Sequence, residues 1–424
     1  MRLYRKGIEN HFYKIARYPY LCKGCGLCAG ICTQNAITMH RNEYQEYVPL
    51  FDTNKCVACG QCLSACIGRS TRPLSSFSPL GNYRKLYLGH SVDNAIRSKG
   101  SSGGVITALI SWGLKVGFFP QAMVLGYEND SISPTPIYTK DSWHVLNNNG
   151  SKYISYPLCD QLKKIREHTA ITALPCYASA LRNVLENKVF LFGLFCSKRV
   201  TIDILKYICH QENCDFNHIY DLEFRAGEWP GRFQFKTPKK KICIGYYKTY
   251  FAAVFNCYFY SPSGCLFCND YFCDAADISF GDPWMKSYAH KGTGDTVIIV
   301  RSKHGEDFIK KAINKNIIDV QNISAQEIIT GHIKGIYNKR VGMQNRRSIL
   351  LKFKMPVPEG SHEEIVKSKY LGLFLELFYI FNNFAIRRLG LYNLILKIPR
   401  RLMFIYYFSY ALLIKCYLKI IKFY

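Results

Sequence analysis

A duplicated cysteine run near the N-terminus constrains the fold of this 424-residue chain more than any other feature of its sequence. Four cysteines from Cys22 to Cys32 follow the spacing C-x2-C-x2-C-x3-C, and the same spacing begins again at Cys56, 34 residues later. Three thiolates on so tight a turn reach three corners of one iron–sulfur cubane, and the fourth ligand comes from elsewhere in the chain. The repeat therefore predicts a small module at residues 20–70 that is organised around two 4Fe–4S clusters.

The fourth cysteine of each run decides how the ligands divide between the clusters. In two-cluster ferredoxins this cysteine ligates the other cluster. Zinc is the alternative metal, but it prefers two separated C-x2-C pairs to close triplets. Thr33 and Ile67 stand where bacterial ferredoxins usually have Pro, which weakens the turn argument but leaves all eight thiols in place. The predicted ligand sets are Cys22, Cys25, Cys28 and Cys66 for one cluster, and Cys56, Cys59, Cys62 and Cys32 for the second.

The cysteine count and the net charge indicate the compartment and the class of partner. The 19 cysteines are an odd number scattered along the chain, and the basic N-terminus lacks the apolar stretch of a secretory signal. A disulfide framework is therefore not expected, and a cytoplasmic location is predicted. Lys plus Arg number 56 against 30 Asp plus Glu, and this net charge of +26 favours anionic partners. Because no RNA- or DNA-reading motif accompanies the charge, nucleic-acid binding is not predicted.

The rest of the sequence predicts a multidomain chain of mixed α+β and α/β class, with 48% hydrophobic residues to fill its cores. Apolar spacing predicts a helix at 105–115 and an amphipathic helix at 159–168, and the apolar run at 188–196 predicts a buried strand. Residues 70–82 are rich in Ser, Pro and Gly and predict a linker. The predicted domains are a ferredoxin-like two-cluster module at 20–70, α/β domains at 85–170 and 171–345, and a helical basic and hydrophobic tail at 346–424.

A glycine-rich loop precedes the helix predicted at 105–115. Backbone amides and hydroxyls of such a loop can cradle phosphate at a helix N-terminus, although the loop could equally be a turn that only packs. The loop also fits the G-x-S-x-G motif of serine hydrolases, but that motif needs a preceding strand, and residues 91–99 look helical and polar. The candidate cofactor-binding residues are Lys99, Gly100, Ser101, Ser102, Gly103 and Gly104.

A second set of cysteines lies outside the N-terminal module. Cys176 stands at a predicted strand-to-helix transition, Cys196 ends a predicted strand, and Cys265 and Cys268 form a C-x2-C loop. These four thiols could enclose a third cubane. Since free cysteine is commonly a small buried hydrophobic residue, the spacing alone leaves a metal site and buried thiols equally open.

Several motifs follow one another in order between residues 85 and 345. They are GSSGGVITAL, GSKYISYP, LPCYASALR, LFGLFC, FRAGEWPGRF, CLFCNDYFCDAADISFGDPW and GTGDTVIIVRS. In this order they resemble the coenzyme F420 hydrogenase/dehydrogenase beta-subunit family, here with a fused N-terminal two-cluster ferredoxin domain. Members of that family are flavoproteins that carry FAD and 4Fe–4S clusters. They pass electrons between a two-electron carrier or organic substrate and a one-electron chain.

The resemblance implies that 85–170 and 171–345 are the flavin- and cluster-binding domains, with Gly100 to Gly104 in the flavin-binding region. It further implies a third cluster next to the flavin, and Cys273 is an additional candidate ligand with no family counterpart. Candidate proton donors at the flavin are His144, Tyr153 and Tyr156. The ligands implied for this third cluster are Cys176, Cys196, Cys265 and Cys268.

The function that the resemblance implies is an iron–sulfur, flavin-dependent oxidoreductase that exchanges electrons with a redox partner protein or a reduced carrier. The substrate stays open, and so does the use of F420. The family includes F420-reducing subunits, chlorophyll-pathway reductases and proteins encoded with polysaccharide synthesis genes. The alternative is a non-catalytic, ferredoxin-type electron-transfer protein, one that could serve polysaccharide biosynthesis, in which the glycine loop only packs.

The C-terminal segment at 371–424 alternates apolar runs with Lys and Arg. Its longest nearly unbroken apolar run, Leu402 to Ile414, has 13 residues, whereas a membrane span needs about 20. A spanning helix is therefore not expected. Two hypotheses remain open: peripheral association with the inner face of an anionic membrane, and packing against the core or a partner subunit.

Overall fold

The computed structural model shows an N-terminal module docked onto a mixed α/β body, with helices at the C-terminus. The mixed class and the helical C-terminal segment confirm those two parts of the predicted fold. The linker predicted at 70–82 lies partly outside the described residues. The structure describes residues 2–71, 78–128, 131–246, 248–285, 287–288, 292–360 and 370–420.

The N-terminal module contains two short helices, each inside one cysteine run and carrying its third cysteine, and an antiparallel hairpin between the runs. A first helix covers one side of it, burying Ile8, Phe12 and Ile15 next to Cys62. The short stretch that follows the second run pairs with residues 359–360. The elements are α1 (Arg2–Arg17), α2 (Leu27–Ile31), β1 (Ile37–Arg41), β2 (Tyr47–Phe51), α3 (Gln61–Ser64) and β3 (Ser70–Thr71).

The first half of the body alternates strands and helices. The helix predicted at 105–115 is confirmed with the same bounds, and the strand predicted at 188–196 is confirmed in its central part. The elements are β4 (Lys85–Ser91), α4 (Asn94–Lys99), α5 (Val105–Lys115), β5 (Ala122–Gly126), β6 (Thr135–Thr139), α6 (Ser142–Asn147), β7 (Ala170–Ala173), α7 (Pro175–Leu185) and β8 (Phe190–Leu194).

The amphipathic α-helix predicted at 159–168 is wrong. The segment Leu158–Lys164 is a 3-10 helix, Ile165 is extended, and residues 167–168 form a turn. Its shape is set by the module, because a Cβ on Gly30 would lie 2.1 Å from the carbonyl oxygen of Cys159. Local apolar spacing carries no information about such a long-range contact.

The second half of the body adds an antiparallel three-stranded sheet, β11-β10-β9, which packs its phenylalanines against a helix. Two helices further on are joined by a π-helical turn at Asn338–Gly342. The elements are α8 (Asp203–Glu212), β9 (Tyr220–Ala226), β10 (Arg232–Lys236), β11 (Lys241–Gly245), α9 (Tyr250–Asn256), β12 (Ile278–Gly281), β13 (Thr296–Val300), α10 (Lys303–Asn314), β14 (Ile318–Asn322), α11 (Ala325–Tyr337) and α12 (Met343–Lys352).

An eight-stranded sheet in the order β14-β4-β13-β12-β8-β7-β5-β6 forms the centre of the body. Strands β5, β7, β8 and β12 are parallel, and the outer strands are antiparallel. All five residues of β13 are buried, as expected for a strand in a sheet covered on both faces. Both predicted α/β ranges contribute strands to this one sheet. The carboxyl ends of its parallel strands face the second set of cysteines.

The C-terminal segment packs as helices on the body. It is joined to the rest by buried ion pairs, Arg346 with Glu376 and Arg387 with Glu46. A second π-helical turn, Phe381–Ala385, lies within it. The remaining elements are β15 (Glu359–Gly360), α13 (Tyr370–Ile380), α14 (Ile386–Arg388), α15 (Tyr392–Ile395) and α16 (Arg400–Ile420).

Candidate functional site

The two cysteine runs have the same backbone conformation. Gly24 and Ala58, which occupy equivalent positions, have φ of +58° and +57°. Gly26 and Gly60 have φ of +85° and +78° and begin α2 and α3. These left-handed residues turn backbone amides toward sulfur: the N–H of Gly24 donates to Cys22 Sγ at 3.2 Å, and that of Ala58 to Cys56 Sγ at 3.3 Å. Amides aimed at thiolates stabilise negative charge on sulfur.

Four cysteines form what we call the buried group: Cys22, Cys25, Cys28 and Cys66. Burial raises the pKa of Cys22 to about 12, and the neighbouring sulfurs of Cys25 and Cys66 contribute. The pKa of Cys28 is raised by burial and then by the other three members. Cys25 is the exception, because a hydrogen bond from the buried Cys159 lowers its pKa to about 7. The group thus combines three cysteines of the first run with the last of the second.

The other four cysteines of the module form the surface group: Cys32, Cys56, Cys59 and Cys62. Burial raises the pKa of Cys62 to about 11, with contributions from Cys59, Cys56 and Cys32. Cys59 is exposed and Cys56 is half-buried, so this group lies at the molecular surface. The neighbours in these pKa shifts are those of the crossed ligand sets, with Cys62 as an additional neighbour of Cys28, and the ligand sets themselves stay a prediction.

Four cysteines of the body come together in the inner group: Cys176, Cys196, Cys265 and Cys268. Cys176 lies in the first turn of α7, Cys196 follows β8, and the other two belong to a turn at Ser263–Phe267 and the residue after it. Burial raises the pKa of Cys176 to about 12, and Cys268 and Cys265 add to the shift. Cys273 lies beside the group, but its thiol is directed at the carbonyl oxygen of Ala173, 3.7 Å away.

Four buried cations surround the inner group. Lys23 enters from the first cysteine run, Lys198 and Arg199 follow Cys196, and Lys339 comes from the π-helical turn. Burial lowers the pKa of Lys198 to about 7. Burial also disfavours charged Lys339, but the sulfurs of Cys268 and Cys196 outweigh it and raise its pKa. Among the described residues, none of the four forms an ion pair with a carboxylate.

Neutral groups hold these cations in place. Lys23 Nζ donates to the carbonyl oxygens of Gly264 and Phe267 at 3.1 and 2.8 Å. Arg199 donates to the Tyr177 hydroxyl at 2.7 Å and to the carbonyl oxygen of Lys23. Lys198 Nζ donates to Asn256 Oδ1 at 2.9 Å. The contacts are geometrically specific, but they leave the positive charge uncompensated.

The buried group and the inner group adjoin each other. Lys23, which lies between two cysteines of the buried group, reaches the loop that carries Cys265. At the same contact a Cβ on Gly264 would lie 2.0 Å from the carbonyl oxygen of Cys22. Arg199 acts electrostatically on Cys22 and on Cys176. One packed contact therefore connects the two sets of sulfurs.

A cavity of about 290 Å³ begins at the inner group. Its wall includes Cys196 on one side and the glycine loop with the first turn of α5 on the other. Gly104 precedes α5 with φ of +71° and provides no side-chain cap, so the first N–H groups of this helix are left for a ligand. The volume lies near the lower end of the range of small-molecule sites, about 300–1,000 Å³.

The charges on the cavity wall favour an anion. Lys152, Lys198 and Arg199 line it, and Asp282, the carboxylate in the wall, is already paired with Arg225 at 2.8 Å. Lys152 Nζ donates to the carbonyl oxygens of Asn149 and Gly150 at 2.8 and 3.1 Å. Burial lowers the pKa of Lys152 to about 7.

The predicted cofactor-binding residues do not all face the cavity. Gly100, Ser101, Ser102 and Gly104 line it, whereas Lys99 is exposed at the end of α4. Gly103 lies behind the loop, with its N–H donating to Thr296 Oγ1 at 2.9 Å. Helix α4 precedes the loop, and the Ser102 hydroxyl donates to the carbonyl oxygen of Asp295, so the serine-hydrolase motif lacks its strand.

Of the three candidate proton donors, Tyr153 lines the cavity and His144 and Tyr156 do not. His332 also lines it and was not singled out by the sequence; burial lowers its pKa to about 4, so its ring is neutral. The buried cations and Cys159 were missed too. A signal existed for Lys23, which stands between two predicted ligands, and for Lys198 and Arg199, which follow Cys196.

In the described part of the chain, no three His, Cys, Asp or Glu side chains are arranged to hold a single metal ion. The thiolate ligands of zinc converge on one ion, with zinc–sulfur distances of about 2.3 Å. The ligands of a four-iron cluster bind at its separate corners and are therefore further apart. The described cysteines therefore do not converge on a single ion.

Comparison with protein families identifies three matching regions. The 4Fe–4S dicluster domain matches residues 21–67. The N-terminal domain of the coenzyme F420 hydrogenase/dehydrogenase beta subunit matches residues 86–163, and the C-terminal domain of the same subunit matches residues 166–326. The three regions follow the module and body of the structure and end before α12.

Individual relatives agree with these matches. The coenzyme F420 hydrogenase subunit beta of Methanothermobacter thermautotrophicus is 23% identical over 260 residues, covering 58% of this chain and 86% of the relative. That of Methanococcus voltae is 22% identical over 309 residues, covering 70% and 98%. A coenzyme F420-dependent sulfite reductase of Methanocaldococcus jannaschii is 24% identical over 323 residues, covering 69% of this chain and 46% of the relative.

A solved structure shares the fold. A chain of the F420-reducing NiFe hydrogenase complex from Methanosarcina barkeri superposes with a TM-score of 0.52 and 20% sequence identity. The match covers 66% of this chain and 97% of that chain.

Proposed function

The chain belongs to the coenzyme F420 hydrogenase/dehydrogenase beta-subunit family, and on that premise we propose that it is an iron–sulfur, flavin-dependent oxidoreductase. It would relay electrons between one-electron 4Fe–4S clusters and a flavin-coupled two-electron carrier or organic substrate. The observation that carries the proposal is the cavity wall, in which Cys196 of the inner group faces the same space as the glycine loop.

Two clusters would occupy the module. The buried group would hold one through Cys22, Cys25, Cys28 and Cys66, and the surface group would hold the other through Cys56, Cys59, Cys62 and Cys32. The match to a dicluster domain supports iron–sulfur binding. The crossed neighbour relations and the backbone amides directed at sulfur support this division of the ligands.

A third cluster would be held by Cys176, Cys196, Cys265 and Cys268. The support is the surrounding charge, because burying a cation without an anion costs several kcal/mol in free energy. Burial lowers the pKa of Lys23 and of Lys198, so keeping all four buried cationic groups charged requires negative charge nearby, and the neighbouring groups that can supply it include these four sulfurs. A 4Fe–4S cluster keeps the sulfurs as thiolates and so supplies the charge.

FAD would occupy the cavity. Gly100, Ser101, Ser102 and Gly104 and the uncapped start of α5 would face its diphosphate, and Lys152 would add positive charge. When bound, FAD takes up electrons in pairs and releases them singly, while a 4Fe–4S cluster carries one electron. Arg225 would keep Asp282 paired, so that carboxylate adds little repulsion toward an anionic ligand. Tyr153 and His332 are among the residues on the wall that could move a proton.

The three cysteine groups form a continuous series from the surface to the cavity. The surface group presents the exposed Cys59, the buried group adjoins the inner group through Lys23 and Gly264, and the inner group ends at Cys196. We therefore propose that a redox partner protein or a reduced carrier exchanges electrons near Cys59. The positive net charge of +26 would attract an acidic partner.

Anaerobic reconstitution followed by iron, sulfide and flavin analysis tests the proposal. The expected content is about twelve irons and one flavin per chain. The variant Cys196→Ser should lose about four irons, which would identify the inner group as a cluster site. About eight irons without flavin would instead favour the non-catalytic electron-transfer protein, and about four irons without flavin would contradict the scheme.

A matched pair of glycine variants tests the flavin site. Gly104 and Gly117 have φ of +71° and +70°, but a Cβ on Gly104 would lie 2.8 Å from the carbonyl oxygen of Ile96, whereas at Gly117 no atom lies within 4 Å. Gly104→Ala should lose flavin and keep its iron, and Gly117→Ala should keep both. Equal flavin content in the two variants would speak against the loop as the binding site.

A further inference from the structure

The C-terminal helices lie outside the region that the family shares. The matching beta-subunit domains end at residue 326, before α13 and α16. Both helices bury one side against the same part of the body: Leu375 of α13 and Tyr410 and Ile414 of α16 pack in one cluster with Tyr337 and Val341. The side of each helix opposite to this cluster is directed away from it.

The outward side of α16 is apolar. Met403, Tyr410, Ile414, Tyr417 and Leu418 are buried on one side of the helix. At 100° per residue, the other side presents Leu402, Ile405, Leu412 and Leu413, whose exposed fractions are 58%, 59%, 61% and 55%. A solvent-facing side of a surface helix is normally polar. This helix is apolar on both sides.

The outward side of α13 repeats the pattern. Leu371, Phe374, Leu377 and Phe381 recur at intervals of three and four residues, and all are exposed, Phe374 by 65%. The two helices are in direct contact, since the rings of Phe378 and Tyr410 stack at 3.6 Å. We call the outward apolar side chains of these two contacting helices together the C-terminal face. Large, contiguous exposed apolar patches mark interaction sites.

The exposed charges within residues 370–420 have one sign. Within residues 370–420 the acidic residue is Glu376, which is fully buried and paired with Arg346. Arg388, Lys397, Arg401, Lys415 and Lys419 are exposed in the same segment. Arg401, Lys415 and Lys419 lie along one edge of the outward side of α16 at helical spacing. A partner for this face must accept leucine and phenylalanine side chains next to a row of cations.

We propose that the C-terminal face binds the surface of an anionic lipid bilayer. The apolar side chains would enter the boundary between headgroups and acyl chains, and the cations would contact the anionic headgroups. Because the face lies outside the shared domains, this attachment is separate from the proposed redox function.

The packing of α16 indicates that it lies along the bilayer surface. By length and composition, Arg400–Lys419 could cross a membrane. However, residues from Met403 to Leu418, about 22 Å of helix, are packed against the body on one side. Crossing the bilayer would require α16 to leave that contact and expose the buried Tyr410, Ile414 and Tyr417. An orientation parallel to the surface retains the contact and buries the outward side as well.

Vesicle flotation of the anaerobically purified, full-length protein tests the proposal. Wild-type protein should float with phosphatidylcholine vesicles that contain phosphatidylglycerol, and much less with phosphatidylcholine alone. The double variant Ile405→Glu/Leu412→Glu should bind about tenfold more weakly or worse, since it places carboxylates in the apolar face. Arg401→Gln/Lys415→Gln should bind roughly tenfold more weakly at low salt, and the difference should shrink at high salt.

The matched control is Leu50→Glu/Val116→Glu, which changes two apolar residues of similar exposure, 59% and 55%, elsewhere on the surface. It should float like wild type, and all variants should keep the same iron content and thermal unfolding. Three results would overturn the proposal: no flotation of wild type, equal flotation of the Ile405/Leu412 variant, or a homodimer that this variant dissociates. Resistance of the bound protein to alkaline extraction would overturn the parallel orientation.

Discussion

The two cysteine groups of the N-terminal module have one spacing and one backbone conformation but opposite surroundings. The buried group is enclosed by the 3-10 helix at Leu158–Lys164 and by the Ser263–Phe267 turn, with Arg199 close to its sulfurs. The surface group is covered mainly by α1 and leaves Cys59 exposed. The difference arises from what packs against each copy, since the two copies share their local geometry.

This difference in surroundings makes the two ends of the duplicated module inequivalent for electron transfer. A duplicated two-cluster module by itself offers two equivalent ends for electron exchange. Docking one end against the inner group makes that end internal and leaves the other for contact with partners. Reduction potentials of iron–sulfur clusters depend on nearby charge and solvent exposure, so the two groups are expected to differ in potential as well as in access.

Equivalent cysteine variants should give the largest contrast. Cys25 and Cys59 occupy the same position in the two runs. Each change to Ser should remove about four irons. Cys25→Ser should also lower the thermal unfolding temperature by several degrees, because it disrupts the buried contact with Cys159, whereas Cys59→Ser should change it little. Iron analysis and circular dichroism measure both. Equal destabilisation would show that the burial of the first group has no energetic consequence.

Removing the buried cation Arg199 should lower the potentials of both groups that it contacts electrostatically, the buried group and the inner group. Arg199→Met takes a positive charge away from Cys22 and Cys25. The reduced cluster is more negative than the oxidised one, so it loses more electrostatic stabilisation. The potential of the buried group should fall on the order of 50–100 mV, the one-electron equivalent of about 1–2 kcal/mol at an effective dielectric constant near 20. Redox titration followed by electron paramagnetic resonance measures the shift.

Two further variants control for structural damage at Arg199. Arg199→Lys keeps the charge and should restore most of the potential. Lys55→Met removes an exposed cation next to Cys56 and should leave both potentials nearly unchanged, because water screens that charge. A fall in potential that Lys does not restore would attribute the effect to lost packing rather than lost charge.

Iron release should separate the groups kinetically. With a chelator under anaerobic, reducing conditions, about four irons should leave in a fast phase from the surface group, and the remainder more slowly. Cys59→Ser should abolish the fast phase, since it removes the exposed cluster. A single phase in the wild-type protein would mean that the module opens as a unit before any iron is lost.

The sequence predicted those parts of the fold that depend on local pattern. Helix α5 has its predicted bounds because its apolar residues recur at helical spacing and Gly104 ends the preceding loop. The order of the strands in the sheet could not be predicted from local pattern, because β4 pairs with β13 and β14, which lie more than 200 residues later in the chain. The 3-10 helix at Leu158–Lys164 was missed for the same reason: its conformation is adapted to Gly30, far away in the chain.

In the candidate site, too, features with a local sequence signal could be predicted and features without one could not. Thiolate ligands for iron carry a fixed spacing, so the eight cysteines of the module could be assigned to two sets from their spacing alone. Buried cations carry no such signature, because Lys and Arg are exposed in most proteins. Lys339 lies 71 residues beyond Cys268, and only the folded chain brings it to the inner group.

Backbone variants at equivalent turns give the smallest and most local contrast. Gly24 and Ala58 have the same left-handed φ, but a Cβ on Gly24 would lie 2.9 Å from the carbonyl oxygen of Tyr47, whereas Ala58 already carries one. Gly24→Ala should cost about 1–2 kcal/mol of stability, combining left-handed strain with that close contact. Ala58→Gly should change stability by less than about 1 kcal/mol, since relief of strain is offset by the entropy of a more flexible unfolded chain. Thermal unfolding of the cluster-loaded protein compares them. Effects of equal size and opposite sign would mean that backbone conformation alone determines which residue each turn tolerates, whereas a larger loss at Gly24 would show that its close contact with β2 contributes as well.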